Sequence, residues 1–212
     1  MRTQRERSET TRAALLDAAR RLFAADGYAA TNLDEVVRAA GVTKGALYHH
    51  FGGKRDLFQA VFEREQERLA GLVLEAATRE SDPWVAFYEG CRAFFEAVLD
   101  PEVQRLVLLD ALTVLGWDTM REIESRFSLA LIRRGLEQAV EEGRLRKRPL
   151  DPLAHMLFGG LCEAAMLVAR SADGAAATRQ VLVELRSQLA ALDAKPPRQR
   201  GAARGRGRRQ RA

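Results

Sequence analysis

The sequence predicts an all-α protein of about nine helices, and three observations carry that prediction. Apolar residues recur at helical spacing along nearly the whole chain, with no β-alternation of useful length and no internal repeat. Glycines stand where helices should stop: Gly27, Gly41, the pair Gly52-Gly53, Gly116 and Gly143. The dipeptide Asp-Pro occurs at 82–83, 100–101 and 151–152. Each pair should open a helix, because Asp accepts from free N–H groups and proline gives up a donor that had no partner there.

In chain order, Leu15, Ala19, Leu22 and Phe23 mark the inner face of a first helix that Gly27 ends. Thr31 is expected to cap the second, with Asp34 as a short capping-box partner and Leu33, Val36 and Val37 facing inward as far as Gly41. Thr43 caps a third, very short helix ending near Phe51. A long fourth helix starts at Lys54, with Leu57, Phe58, Val61, Phe62, Leu69, Leu72 and Val73 on its apolar side. The first Asp-Pro opens a helix carrying Trp84, Phe87, Tyr88, Cys91, Phe94, Phe95 and Val98, and the second opens one reaching toward Gly116. Further helices are expected over 117–142, 152–170 and 175–192.

Charge is unevenly placed in these 212 residues. The net charge is +5, yet residues 194–212 carry +8 from Lys195 and seven arginines, and residues 1–60 carry +3, leaving the middle at −6. A polyanion would meet the ends. The tail lacks apolar residues beyond alanine and should be disordered, contributing weak electrostatic contact to nucleic acid without reading sequence. Arg2, Arg5 and Arg7 invite the same reading of weak electrostatic contact, although arms of this sort can enter an adjacent minor groove. Cys91 and Cys162 offer neither CxxC spacing nor a disulfide framework, which fits a reducing cytoplasm. The N-terminus has no apolar core of a secretory signal, and 153–169 is too short and too interrupted for a membrane span, so no membrane partner is expected.

Residues 33–40, a tight turn with Gly41, and 43–51 form a helix-turn-helix pattern. In such a unit the second helix enters the DNA major groove. Here it reads TKGALYHHF. Ala46, Leu47 and Phe51 serve its inner side, leaving Thr43, Lys44, Gly45, Tyr48 and His49 outward; His50 faces the body. The hydroxyls of Thr43 and Tyr48 suit phosphates, and Lys44 suits a phosphate or guanine. Gly45 costs a helix about 1 kcal/mol relative to alanine, a loss that close approach to a sugar-phosphate backbone would offset. Lys54 adds charge beside the free N–H groups opening the fourth helix.

With Phe23, Gly27, Thr31, the run at 37–42, Lys44-Gly45, Leu47-Tyr48, Phe51, Lys54 and Leu57 at their spacing, the stretch resembles the DNA-binding signature of TetR-family transcriptional regulators over about residues 10–60. Gly53 departs from it, standing where a Ser or Asn cap is common. The resemblance implies a homodimeric regulator that binds a double-stranded operator through a small N-terminal domain and a small-molecule effector through a larger C-terminal one. It maps Thr31, Thr43, Lys44, Gly45, Tyr48, His49 and Lys54 onto DNA-contacting positions. The expected division is 1–53 for DNA binding, 54–193 for ligand binding and dimerisation, and 194–212 for the tail.

Trp84, Phe87, Tyr88, Cys91, Phe94, Phe95, Trp117, Met120, Phe127, Met156, Cys162 and Met166 give the later helices aromatic and sulfur surface suited to an apolar effector pocket, or to plain core. For the dimer, Leu157, Gly160, Leu161 and Ala164 on one helix and Val181, Leu185 and Leu189 on the next suit a two-fold four-helix bundle, which predicts a palindromic operator. His155 and Cys162 make a poor metal site, and no cofactor is expected. No nucleophile-base pair or carboxylate pair supports an enzyme. The expected function is repression relieved when an effector between helices five to eight pivots helix four. An activator of the same fold and an adaptor binding nucleic acid through the tail stay open.

Overall fold

The computed structural model describes residues 3–194, so Arg2 and the basic tail from Lys195 onward lie outside the described residues. The chain forms α1 (Gln4–Ala30), α2 (Leu33–Ala40), α3 (Lys44–His50), α4 (Lys54–Ala77), α5 (Pro83–Val98), α6 (Pro101–Val103), a π-helical turn (Gln104–Leu109), α7 (Ala111–Leu115), α8 (Trp117–Arg126), α9 (Ser128–Glu141), α10 (Leu150–Arg170) and α11 (Gly174–Leu192). No strand occurs among the described residues.

The expected helix over 101–116 breaks into α6, the π turn and α7. Asp110 N–H bonds the carbonyl of Arg105, five residues back, at 3.0 Å, which widens the turn. The helix expected over 117–142 breaks at Phe127, whose φ of −112° and ψ of −85° leave the helical region. Two of the three Asp-Pro pairs act as expected: Asp82 accepts from Trp84 and Val85, and Asp100 accepts from Glu102. The third does not. α10 begins at Leu150, so Asp151 already lies in its first turn, paired with Arg133 at 2.6 Å. Arg5 and Arg7 form no free arm; Thr3 and Glu6 make a capping box, and the helix has begun by Gln4.

Two apolar clusters organise the interior. The first joins α1–α4 to Val103, Leu106, Val107, Ala111, Leu115, Met120 and Ile123. The second joins α5 to α9, α10 and α11. Helices α1–α4 thus share a core with the π turn and its neighbours. Buried Glu65 of α4 reinforces that junction: Arg20 of α1 reaches it at 3.0 Å and also holds Glu102 of α6 at 2.8 Å. Burial alone would raise Glu65, but Arg68 and Arg20 outweigh it and hold the carboxyl below its ordinary value.

Beyond the end of α9, Arg144 pairs with Asp82 and with Asp193 (2.6 Å), and its carbonyl accepts from Ala194 N–H at 2.7 Å. This clasp ties the end of α11 to the start of α5.

Candidate nucleic-acid interface

α2 and α3 are built by local chemistry. Asn32 caps α2, its side chain accepting from Asp34 N–H at 2.9 Å. Gly41 closes it in the left-handed region (φ 66°), and Val42 N–H reaches back to Val37 O. Thr43 caps α3, accepting from Ala46 N–H at 3.2 Å. Leu47 is fully buried and Phe51 nearly so, pinning α3 by its inner side. Thr43, Lys44, Gly45, Tyr48 and His49 all face solvent, as the spacing predicts, with Tyr48 51% exposed.

That exposure is chemically specific. A capping hydroxyl still has its O–H to donate, so Thr43 can cap α3 and offer a donor to solvent at once. A Cβ on Gly45 would meet only Thr43 Oγ1, at 3.9 Å, so no contact within the protein requires glycine there. Lys44 pairs with Asp34 at 2.7 Å, both side chains more than half exposed, a link between α2 and α3 that spacing did not disclose. His50 is half-buried against Phe51, and burial, with His49 and Arg12 nearby, pushes it below the usual imidazole value. Arg12 of α1 stacks over Phe51 at 5.5 Å, bringing another guanidinium beside α3.

Two expected contact residues are placed differently. Thr31 is buried, and its hydroxyl and N–H both donate to Gly27 O, at 2.8 and 3.3 Å. It caps the end of α1 rather than α2 and presents nothing to solvent. Lys54 does not stand free at the start of α4. Its Nζ donates to Ala29 O at 3.1 Å and lies 4.6 Å from the centre of the Tyr28 ring. Partial burial lowers its pKa from the ordinary lysine value.

The twelve residues expected around an effector do not line one cavity. Trp84, Phe87, Cys91 and Phe95 are buried in the second core, with Tyr88, Phe94 and Cys162 partly buried against it. Met166 is half-buried on α10. Met120 and Phe127 belong to the first core. Trp117 is 57% exposed, stacked on Arg121 at 4.3 Å, and Met156 is 75% exposed; neither lines an interior pocket. The Trp84 indole N–H is buried with no partner among the described residues. A cleft of about 330 Å³ lies instead between α4 and α5, lined by Arg68, Leu72, Arg79, Arg92 and Glu96 among others. Burial raises Cys91 to about 12 and Cys162 to about 11, so both thiols stay protonated.

The dimer residues divide similarly. Leu185 and Leu189 turn into their own subunit's core, because their stripe is the face α11 packs on α5 and α10. Leu157, Leu161, Ala164 and Val181 are partly covered, and Gly160 is exposed. The uncovered face of α10 is Met156, Gly159, Gly160, Glu163 and Leu167, with Val183 exposed on α11. At 21 residues, α10 is also long and apolar enough to cross a membrane by length and composition, unlike the shorter segment expected from the sequence.

Known proteins share this arrangement. The tetR-family model of bacterial regulatory proteins matches residues 15–61, and the tetracyclin repressor-like C-terminal domain model matches 84–192. The Transposon Tn10 TetC protein of Escherichia coli is 26% identical over 74% of this chain and 79% of its own length. The transcriptional regulator AcrR of Shigella flexneri is 35% identical over 108 residues, half of each chain. A solved TetR-family regulator from Pectobacterium atrosepticum is 36% identical, with a TM-score of 0.77 over 92% of this chain and all of its own. A helix-turn-helix with its polar face outward, on a body matched as far as residue 192, places this chain in the TetR family of DNA-binding transcriptional regulators.

Proposed function

We propose that the chain is a homodimeric repressor that leaves a palindromic operator when a small apolar or aromatic effector binds its C-terminal body. The reading rests on one contrast: α3 turns Thr43, Lys44, Gly45, Tyr48 and His49 to solvent, while α10 leaves Met156, Gly160 and Leu167 uncovered. Such an apolar stripe asks for a cover, and a second copy brought against it by a two-fold axis sets two α3 helices for two half-sites. A self-complementary face also accounts for α10 without a membrane, in keeping with a cytoplasmic regulator that carries out no catalysis. In this reading residues 1–53 bind DNA and 54–193 bind ligand and dimerise. Thr43, Lys44, Gly45, Tyr48, His49 and Lys54 make the DNA contacts, and Met156, Gly160, Leu167 and Val183 join Leu157, Leu161, Ala164 and Val181 at the dimer contact. The effector enters the aromatic region of α5 and α10, between Trp84, Phe87 and Phe158; RolR, a neighbour of the same fold, is solved with resorcinol.

Selection of genomic duplexes by the full chain, at moderate and high salt and alongside sedimentation, tests this. A single palindromic motif bound by a dimer is the expected result. Salt-labile binding with no motif would shift the weight to the basic tail, and a relative named as an activator, FasR, makes transcription from the selected promoter the readout that separates repression from activation.

A further inference from the structure

The body of the protein bonds both segments that flank the helix-turn-helix unit, the end of α1 and the start of α4. Asp110, where the π turn meets α7, accepts from Tyr28 N–H at 2.8 Å, although 82 residues separate them. Arg55, in the first turn of α4, donates to the last carbonyls of α7, Val114 at 3.3 Å and Leu115 at 2.8 Å. Gly27, the residue before Tyr28, turns the chain there with a φ of 80°, which L side chains rarely adopt. The Tyr28 ring is in turn packed on Phe23 and Phe58, at 5.8 and 5.3 Å.

Lys54 rests on this same spot, touching the ring of Tyr28 and the carbonyl of Ala29. An ammonium carries three donors, so one bond to Ala29 leaves others for a phosphate. We infer that Asp110 is a positioning residue for DNA contact: through Tyr28 it holds the platform that presents the Lys54 ammonium to the operator backbone. The inference rests on the proposed phosphate role of Lys54. It makes the π turn and α7 the part of the body that governs that contact, because the unit fastens the end of α1 through Asp110 and the start of α4 through Arg55. π turns are rare and occur frequently at functional sites.

The test is a double-mutant cycle on the selected operator duplex, measured across a salt series with melting temperatures alongside. Lys54→Ala should weaken binding and reduce the salt slope by about one phosphate's worth. Asp110→Ala should weaken binding roughly three- to tenfold and lower the slope in the same sense, with no further loss once Lys54 is alanine. Asp110→Asn keeps an acceptor for Tyr28 and should bind within about twofold of the parent. If Asp110→Ala does not fold, Asp110→Ser takes its place in the cycle. Equal losses in both backgrounds, or no loss from Asp110→Ala, overturn the inference while leaving the role of Lys54 standing. An unchanged affinity and slope in Lys54→Ala remove that role, and the inference with it.

Discussion

α3 and α10 are both incompletely covered by the rest of the chain, yet they differ in what they show. α3 shows hydroxyls, an ammonium and a bare glycine backbone over seven residues, held by one fully buried leucine. α10 shows a thioether, two glycines and a leucine, with His155 and Glu163 beside them, over three turns of a 21-residue helix. Polar donors on a short, firmly capped helix suit an anionic, hydrated partner. An apolar stripe suits a partner that also gains by leaving water. The chemistry of an uncovered face therefore says more about its partner than the fact of exposure.

The largest effect should come from charging the apolar face. Leu167→Arg lies on exposed surface and should leave the melting temperature of the subunit nearly unchanged, while producing a monomer that binds operator at least ~100-fold more weakly, since the second half-site loses its effective concentration. Sedimentation of a variant that stays dimeric would assign that face to something other than self-association. The same charge at Leu185, 6% exposed on α11, should instead unfold the subunit, which separates the face turned out from the face turned in.

On the polar face, Tyr48→Ala should cost about tenfold in operator affinity, roughly 1.4 kcal/mol, with dimerisation intact. A monomeric variant would make Tyr48 structural. Thr43→Ala removes the cap of α3 and should cost about 1 kcal/mol, visible in both melting and binding. Loss in binding alone would mean the hydroxyl serves only DNA.

The smallest effect concerns neither face. Burial would raise Asp82, but Arg144 and the N–H groups of Val85 and Trp84 outweigh it and hold the carboxyl below its ordinary value. A depressed carboxyl stabilises the fold above its unfolded pKa and loses that contribution as pH falls through the folded one. Melting temperature should therefore drop as pH falls below about 4, and less steeply in Arg144→Ala. An identical profile in both would take the clasp out of the acid response.

The helix-turn-helix unit was legible because its determinants are local: Thr43 caps the helix that begins at Lys44, Gly41 turns the chain where a left-handed residue is needed, and Leu47 marks the inner side. Asn32 was equally legible as a cap; Thr31 hid it, being a good cap by type but committed to Gly27. The all-α class, the exposed set on α3 and the unusual apolarity of α10 come from residue order alone, since helical spacing fixes which side chains share a face. Which face turns inward does not, because it depends on the helices packed alongside. Leu185 and Leu189 looked like interface and lie in the core beside α5 and α10, while Val181 on the same helix is only partly covered, and the dozen aromatic and sulfur residues expected in one pocket are divided between two cores and the surface. The hold of Asp110 on Tyr28 and the docking of Lys54 on that residue were decided only by tertiary structure, because they join groups 26 to 82 residues apart whose meeting no local pattern encodes.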